Sequence, residues 1–157
     1  MALLGILVVW PVVAARSLPT EDGPLYGTSI AGVEALAPAG IPVVVEDALS
    51  FLPLQFETRR PGRPYYFVLD GAPALDPRSS PRAPISYQGM TIWKQVGYLA
   101  DRILPAGEFL PAHHRFIVLH ARQFLWYETR LESNPAYTCR VLGKVGDSEV
   151  VLVEQRE

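Results

Sequence analysis

Three short runs are apolar at nearly every position: Ile41–Val45 (IPVVV), Tyr65–Leu69 (YYFVL) and Phe116–Leu119 (FIVL). Such runs suit strands buried on both faces, as in a parallel sheet covered by helices. Asp47, just after the first run, is placed to cap a helix from Ala48 toward Phe56, which Pro53 would kink or shorten. Ser29 is placed to cap a helix over Ile30–Leu36 that stops before Pro38. Apolar residues at 92, 93, 96, 99, 103 and 104 form a helical stripe and predict a helix over Ile92–Leu104, stopped by Pro105 and Gly107. Glu108–Ala112 reads as a short turn. Phe124, Leu125 and Leu131 predict a helix over Arg122–Glu132, ended by Asn134-Pro135. Tyr137–Leu142 and Glu149–Glu154 flank a turn at 144–148 and predict a β-hairpin. Residues 71–89 hold Pro73, Pro77, Pro81 and Pro84, and predict an irregular surface excursion.

Strand, helix, strand, helix, strand, helix and hairpin is the order of an α/β layered domain. The expected fold is a three-layer, Rossmann-like sheet of about five strands, mostly parallel, with the C-terminal antiparallel hairpin at one edge. This domain covers 29–157. It follows a polar linker at 17–28 (SLPTEDGPLYGT) and an apolar stub at 1–16.

The stub limits where the domain works. Ala2–Ala15 (ALLGILVVWPVVAA) carries no charge, and Arg16 ends it. As a helix it would cover roughly 21 Å, short of the about 30 Å of a bilayer core. Three readings stand: the outer end of a transmembrane helix, a signal segment cleaved near Val13-Ala14-Ala15 but lacking a cationic start, or a buried core element. Pro11 and Val12-Val13 disfavour a long soluble helix.

With 49% apolar and 19% charged residues, the chain is not a disordered one, and its net charge of −2 offers nothing to nucleic acid. Cys139 is the single cysteine, so an intrachain disulfide, a cysteine zinc site and a CxxC pair are all excluded. No GxGxxG, GxxxxGK[ST] or GxSxG is present. His113 and His114 are adjacent and His120 is distant, which is not metal-ligand spacing, so no metal or cofactor is expected. Trp93, Trp126 and Tyr127 fall on helical stripes and read as core. In an open parallel sheet ligands collect beyond the carboxyl ends of the strands. Glu46, Asp47, Asp70, His120 and Arg122 occupy those ends and form a candidate ligand-binding rim. Against that stands the plain role of such residues in ending strands and capping helices. Arg59, Arg60 and Arg63, in the loop TRRPGRP, are candidates for contact with an anion or a lipid headgroup.

From Ile41 onward the chain resembles the C-terminal soluble domain of bacterial membrane glycosyltransferases of family 39, relatives of protein mannosyltransferases. The pieces that carry the resemblance are Val43-Val44-Val45, Ser50-Phe51-Leu52-Pro53-Leu54, Tyr65-Tyr66-Phe67-Val68-Leu69-Asp70, His114-Arg115-Phe116-Ile117-Val118, and Leu142-Gly143 through Glu154. The resemblance implies a small extracytoplasmic α/β domain on the periplasmic side of the inner membrane, following a bundle of transmembrane helices. Membrane lipid, that upstream bundle and a polyprenyl-phosphate sugar are the implied partners. The family's catalytic acidic residues lie in an upstream loop that nothing here matches, so no catalytic residue is carried over. The alternative is an exported or anchored α/β module that binds a small ligand at the rim without catalysis.

Overall fold

The structure is a computed structural model and describes residues 30–57, 63–122 and 124–156. The stub, the linker, the Ser29 cap, Arg59 and Arg60 lie outside the described residues. Helix α1 is Ile30–Leu36, strand β1 Val43–Val45 and helix α2 Ala48–Glu57. Strand β2 is Tyr65–Leu69, followed by the short helix α3 Gly71–Ala74 and the longer α4 Arg82–Gln95. Strand β3 is Ile103–Pro105, helix α5 Ala106–Ala112 and strand β4 Arg115–Ala121. A π-helical turn, Glu128–Glu132, leads to the hairpin β5 Tyr137–Val145 and β6 Ser148–Gln155.

The fold is the expected mixed α/β sheet with the antiparallel hairpin at its C-terminal end. It has six strands in the order β3-β2-β1-β4-β6-β5. β1 pairs in parallel with β2 and with β4, and β2 in parallel with β3. β6 runs antiparallel to both β4 and β5. The period-2 alternation of β4 explains the three layers. Ile117 and Leu119 join Val43, Val45, Phe51, Leu54 and Met90 in the core under α1, α2 and α4. Phe116 and Val118 join Val44, Phe109, Trp126 and Leu131 in the core under α5 and the π-helical turn.

Local chemistry sets the boundaries. Asp47 caps α2: its Oδ1 accepts from Leu49 N at 3.3 Å and its Oδ2 from Ser50 Oγ at 3.2 Å. Asp70 ends β2 and caps α3, accepting from Ala72 N at 3.3 Å. The segment 71–89 is not an irregular excursion but carries α3 and the first half of α4. Pro73 and Pro84 each occupy the third position of a helix. The N–H that proline lacks has no intrahelical partner in a first turn, so there these prolines cost little.

The helix predicted over Ile92–Leu104 ends at Gln95 instead. Gly97 at φ +81° and Leu99 at φ +51° turn the chain, and both Arg102 N and Ile103 N donate to Leu99 O, at 2.8 and 2.9 Å. Ile103 and Leu104 belong to the edge strand β3. The helix predicted over Arg122–Glu132 is reduced to the π-helical turn, because Phe124, Trp126 and Tyr127 are all buried within four residues, a density one helical face cannot supply. The hairpin closes on Gly146-Asp147, with Gly146 at φ +58°. β5 carries a bulge between Val141 and Gly143. A Cβ at Gly143 would come within 2.9 Å of Leu36 Cδ1, so glycine there lets α1 pack against the hairpin.

Candidate functional site

The chain leaves β1 toward β2 on one side, and β4 returns to the other side of β1, so the topology reverses between β1 and β4. Ligands of open α/β sheets bind at the carboxyl ends of such strands. Glu46 follows β1 directly, and His120 is the next residue after Phe116 and Val118 on the same face of β4. The two meet across the reversal: His120 Nδ1 lies 2.8 Å from Glu46 Oε2. Glu46 Oε2 also accepts from Ala121 N at 3.1 Å, and Oε1 accepts from Tyr127 N at 2.9 Å. One buried carboxylate thus ties the ends of β1 and β4 to the start of the π-helical turn. On the other side of the ring, His120 Nε2 lies 3.6 Å from Glu128 Oε1, and Tyr127 packs against the imidazole at 4.7 Å between centroids.

Burial raises the Glu46 carboxyl above the ordinary carboxylate range, only partly offset by His120 and the two backbone donors. Burial by itself lowers His120, but the hydrogen bond and charge of Glu46, with the charges of Glu128 and Glu149, outweigh it and leave the imidazole raised. Glu128 is raised, chiefly by desolvation. The pH consequence follows by linkage. Below the unfolded histidine value of about 6.5 the stabilisation from protonated His120 is fully present. As pH rises, the unfolded chain releases its proton while the folded chain holds on, so stability falls until the folded value is passed. A raised Glu46 acts in the same sense, from its unfolded value upward. Stability is therefore expected to decline as pH rises, from the unfolded carboxylate value of about 4.5 through and beyond the unfolded histidine value of about 6.5, with a limiting slope of about 1.4 kcal/mol per pH unit for one proton. His120→Gln should flatten the profile over that range, as followed by thermal unfolding; an identical profile would place the proton elsewhere.

Beside this cluster lies an apolar cleft with about 400 Å³ of empty space, part of it open to solvent. Val44, Val68, Pro73, Ala83, Phe124 and Trp126 line it, with Glu46 and Asp70 at its polar margin. Trp126 Nε1 is a buried donor with no hydrogen-bond partner among the described residues. Arg130 reaches from the π-helical turn to the end of β2, where its Nε and Nη2 donate to Asp70 Oδ2 at 2.6 Å and Oδ1 at 3.0 Å. This two-pronged ion pair holds Asp70, one of the residues that line the cleft. Arg130 is 44% exposed, so the pair should contribute little to stability: Arg130→Ala is expected to cost about 0.5–1 kcal/mol in urea unfolding.

The structure thus separates the expected rim residues. Glu46 and His120 form the buried pair, and Asp70 borders the cleft. Asp47 is occupied as the cap of α2. Arg122 points to the hairpin, donating to Glu149 Oε1 at 3.1 Å, away from the cleft. Arg63 is not an exposed cation: it is buried, and its Nη2 donates to Ala37 O at 2.9 Å, bracing the end of α1 against the entry to β2. Glu128, Arg130 and Trp126 were not among the expected residues. Cys139 is half-buried on β5, and burial pushes its thiol up, away from a reactive thiolate. His113 Nδ1 lies 3.0 Å from Phe109 O, so that ring works at the end of α5. No three His, Cys, Asp or Glu side chains among the described residues are grouped to hold a metal ion. Nor is any described helix long and apolar enough to cross a membrane.

A carboxylate, a histidine and a second carboxylate in line could relay a proton, yet Glu46 and His120 are almost wholly buried. Their geometry suits holding three chain segments together better than turning over a substrate. The chain matches no protein-family model, no curated protein and no solved structure.

Proposed function

We propose that the chain is the accessory α/β domain of a bacterial membrane glycosyltransferase that uses a lipid-linked sugar donor. In this reading Ala2–Ala15 holds the domain at the extracytoplasmic face of the inner membrane. The observation that supports it is the placement of the motifs behind the family resemblance. Val43–Val45 is β1, Ser50-Phe51-Leu52-Pro53-Leu54 lies in α2, and Tyr65 to Asp70 is β2 with the cap that ends it. His114 to Val118 enters β4, and Leu142 to Glu154 closes the hairpin. The motifs thus coincide with strands of the sheet and with one helix that covers it. The domain itself breaks no bond; its part is to cover the active site of the membrane portion or to position the acceptor. The test is to read the genomic codons upstream of Met1 and to fractionate cells carrying a C-terminal tag at the native locus. Continuous frame through several apolar spans, with the tag in the membrane fraction, is the expected result. An in-frame stop codon immediately upstream, with the tag in the aqueous fraction, would overturn the reading.

One observation favours a second reading, a non-catalytic module that binds a small ligand: the cleft at the strand ends with the unpartnered indole donor of Trp126. A compound from a thermal-shift screen that occupies this cleft should lose its effect in Trp126→Phe, which keeps the apolar bulk and removes the N–H. A shift that survives both Trp126→Phe and Ala83→Leu would place the ligand elsewhere.

A further inference from the structure

Helices α2 and α4 cover one face of the sheet, and their outer surface carries exposed apolar side chains among Arg82, Gln88 and Gln95. On α4, Ile85 is 71% exposed, Ile92 56%, and Val96 just beyond its end 73%. Their spacing of seven and four residues places them along one side of the helix. On α2, Phe56 is 60% exposed and Leu49, seven residues earlier, is 40% exposed. Tyr98 joins the two helices, with its ring 6.4 Å from Phe56 and 4.8 Å, edge-on, from Trp93. α4 carries Arg82 and Lys94 and no acidic residue.

The turn that carries Val96 and Tyr98 is held in place. Gly97 N donates to Lys94 O at 3.0 Å and Tyr98 N to Trp93 O at 2.9 Å. Lys94 Nζ reaches over the turn to Ala100 O at 3.3 Å and Ile103 O at 2.9 Å. Leu99, in the left-handed region at φ +51°, packs inward against the core. A non-glycine residue held there is strained, and the surrounding bonds sustain that strain while Val96 and Tyr98 stay at the surface.

We infer that this face, α2 and α4 with the turn at 96–99, rests on the lipid bilayer surface. The inference rests on the proposed tethering by Ala2–Ala15. Residues 16–29 can span at most about 50 Å between that run and the start of α1. α1 packs in the same helical layer as α2 and α4, so the tether enters the domain on the side of this layer. The chemistry of the face fits an interface between water and hydrocarbon. Isolated aliphatic side chains stand out from a surface without acidic groups on α4, and aromatic rings with one polar end (Tyr98, Trp93) cluster at one end of it. Several large apolar side chains exposed on one side of a domain mark an interaction surface.

The test uses the full chain reconstituted in phosphatidylethanolamine–phosphatidylglycerol vesicles that contain a phospholipid with a diazirine in its acyl chain. After illumination, lipid adducts are mapped by mass spectrometry. Adducts are expected in Ala2–Ala15 and in the segments 49–56 and 85–98, several-fold above those in the hairpin 137–155. Val141, exposed on the opposite face of the sheet, is the internal control. In the triple variant Ile85→Ser, Ile92→Ser, Val96→Ser, adducts on α4 should fall several-fold while those in Ala2–Ala15 persist. All three positions are exposed, so the fold should survive the change. Adducts confined to Ala2–Ala15, or spread equally over α4 and the hairpin, would overturn the docking while leaving the tether intact. No adducts in Ala2–Ala15 would bring down the tether and the docking together. Chain-to-chain crosslinks through 85–98 in place of lipid adducts would give the face to a second copy and equally overturn the inference.

Discussion

Glu46→Ala is expected to lower the unfolding free energy by about 3–5 kcal/mol, as for the loss of one partner from a buried charged pair. Three donors depend on this one side chain: His120 Nδ1, Ala121 N and Tyr127 N. Each buried donor left unmet costs about 1–3 kcal/mol, and His120 and Tyr127 are buried while Ala121 is partly so. Glu46→Gln keeps the shape and one acceptor oxygen but sets an amide N–H₂ against a donor, so its cost should be intermediate. Urea unfolding followed by far-UV circular dichroism measures both. A cost for Glu46→Ala of less than about 0.5 kcal/mol, the level of an ordinary surface change, would show that the carboxylate does not hold the strand ends together.

Phe109→Ala should be nearly as damaging, at about 3–5 kcal/mol. α5 is seven residues long and includes Gly107 and Pro111, so it has little helical stability of its own. Its anchor is Phe109, wholly buried, with ring centroids 5.3 Å from Tyr66, 5.2 Å from Phe116 and 4.3 Å from the stacked His113. Truncation removes the apolar contact and leaves a cavity between β2, β4 and the helix, which cannot collapse far because both strands are fixed by parallel pairing. Hydrogen exchange adds a second readout: the amides of α5 should lose protection before those of β4. Retained protection in α5 would mean that the helix is held by something other than this ring.

The parts of the fold legible in the chain are those where one local signal suffices. β1, β2 and β4 stand out as uninterrupted apolar runs, and α2 is announced by Asp47. The hairpin shows its alternation and its glycine turn. The missed parts depend on distant contacts. Ile103 and Leu104 continue a helical spacing from Ile92, and only the pairing of β3 with β2 makes them a strand. The prolines of 71–89 look like loop residues, yet Pro73 and Pro84 lie in first helical turns and Pro81 precedes one. The candidate site divides the same way. Glu46, Asp70 and His120 are polar residues at the ends of recognisable strands. Glu128 and Arg130 reach the site only because Tyr127 N is drawn to Glu46 and the following turn widens to a π-helix. Their positions along a presumed ordinary helix carry no sign of this. Arg63 misleads for the opposite reason, since a basic, proline-rich loop suggests solvent although this guanidinium packs inside.

The two margins of the sheet differ in their capacity to recruit further chains. On one side β3 is only three residues long and ends in Pro105, which has no N–H to offer a newcomer. On the other, β5 exposes a ladder edge nine residues long, bent by the bulge at Val141 and Gly143 and studded with Arg140 and Lys144. Fibril-like stacking of unfolding intermediates should therefore begin at the hairpin side. A substitution that straightens the bulge or removes those two positive charges would hasten precipitation more than any change at the proline-closed margin.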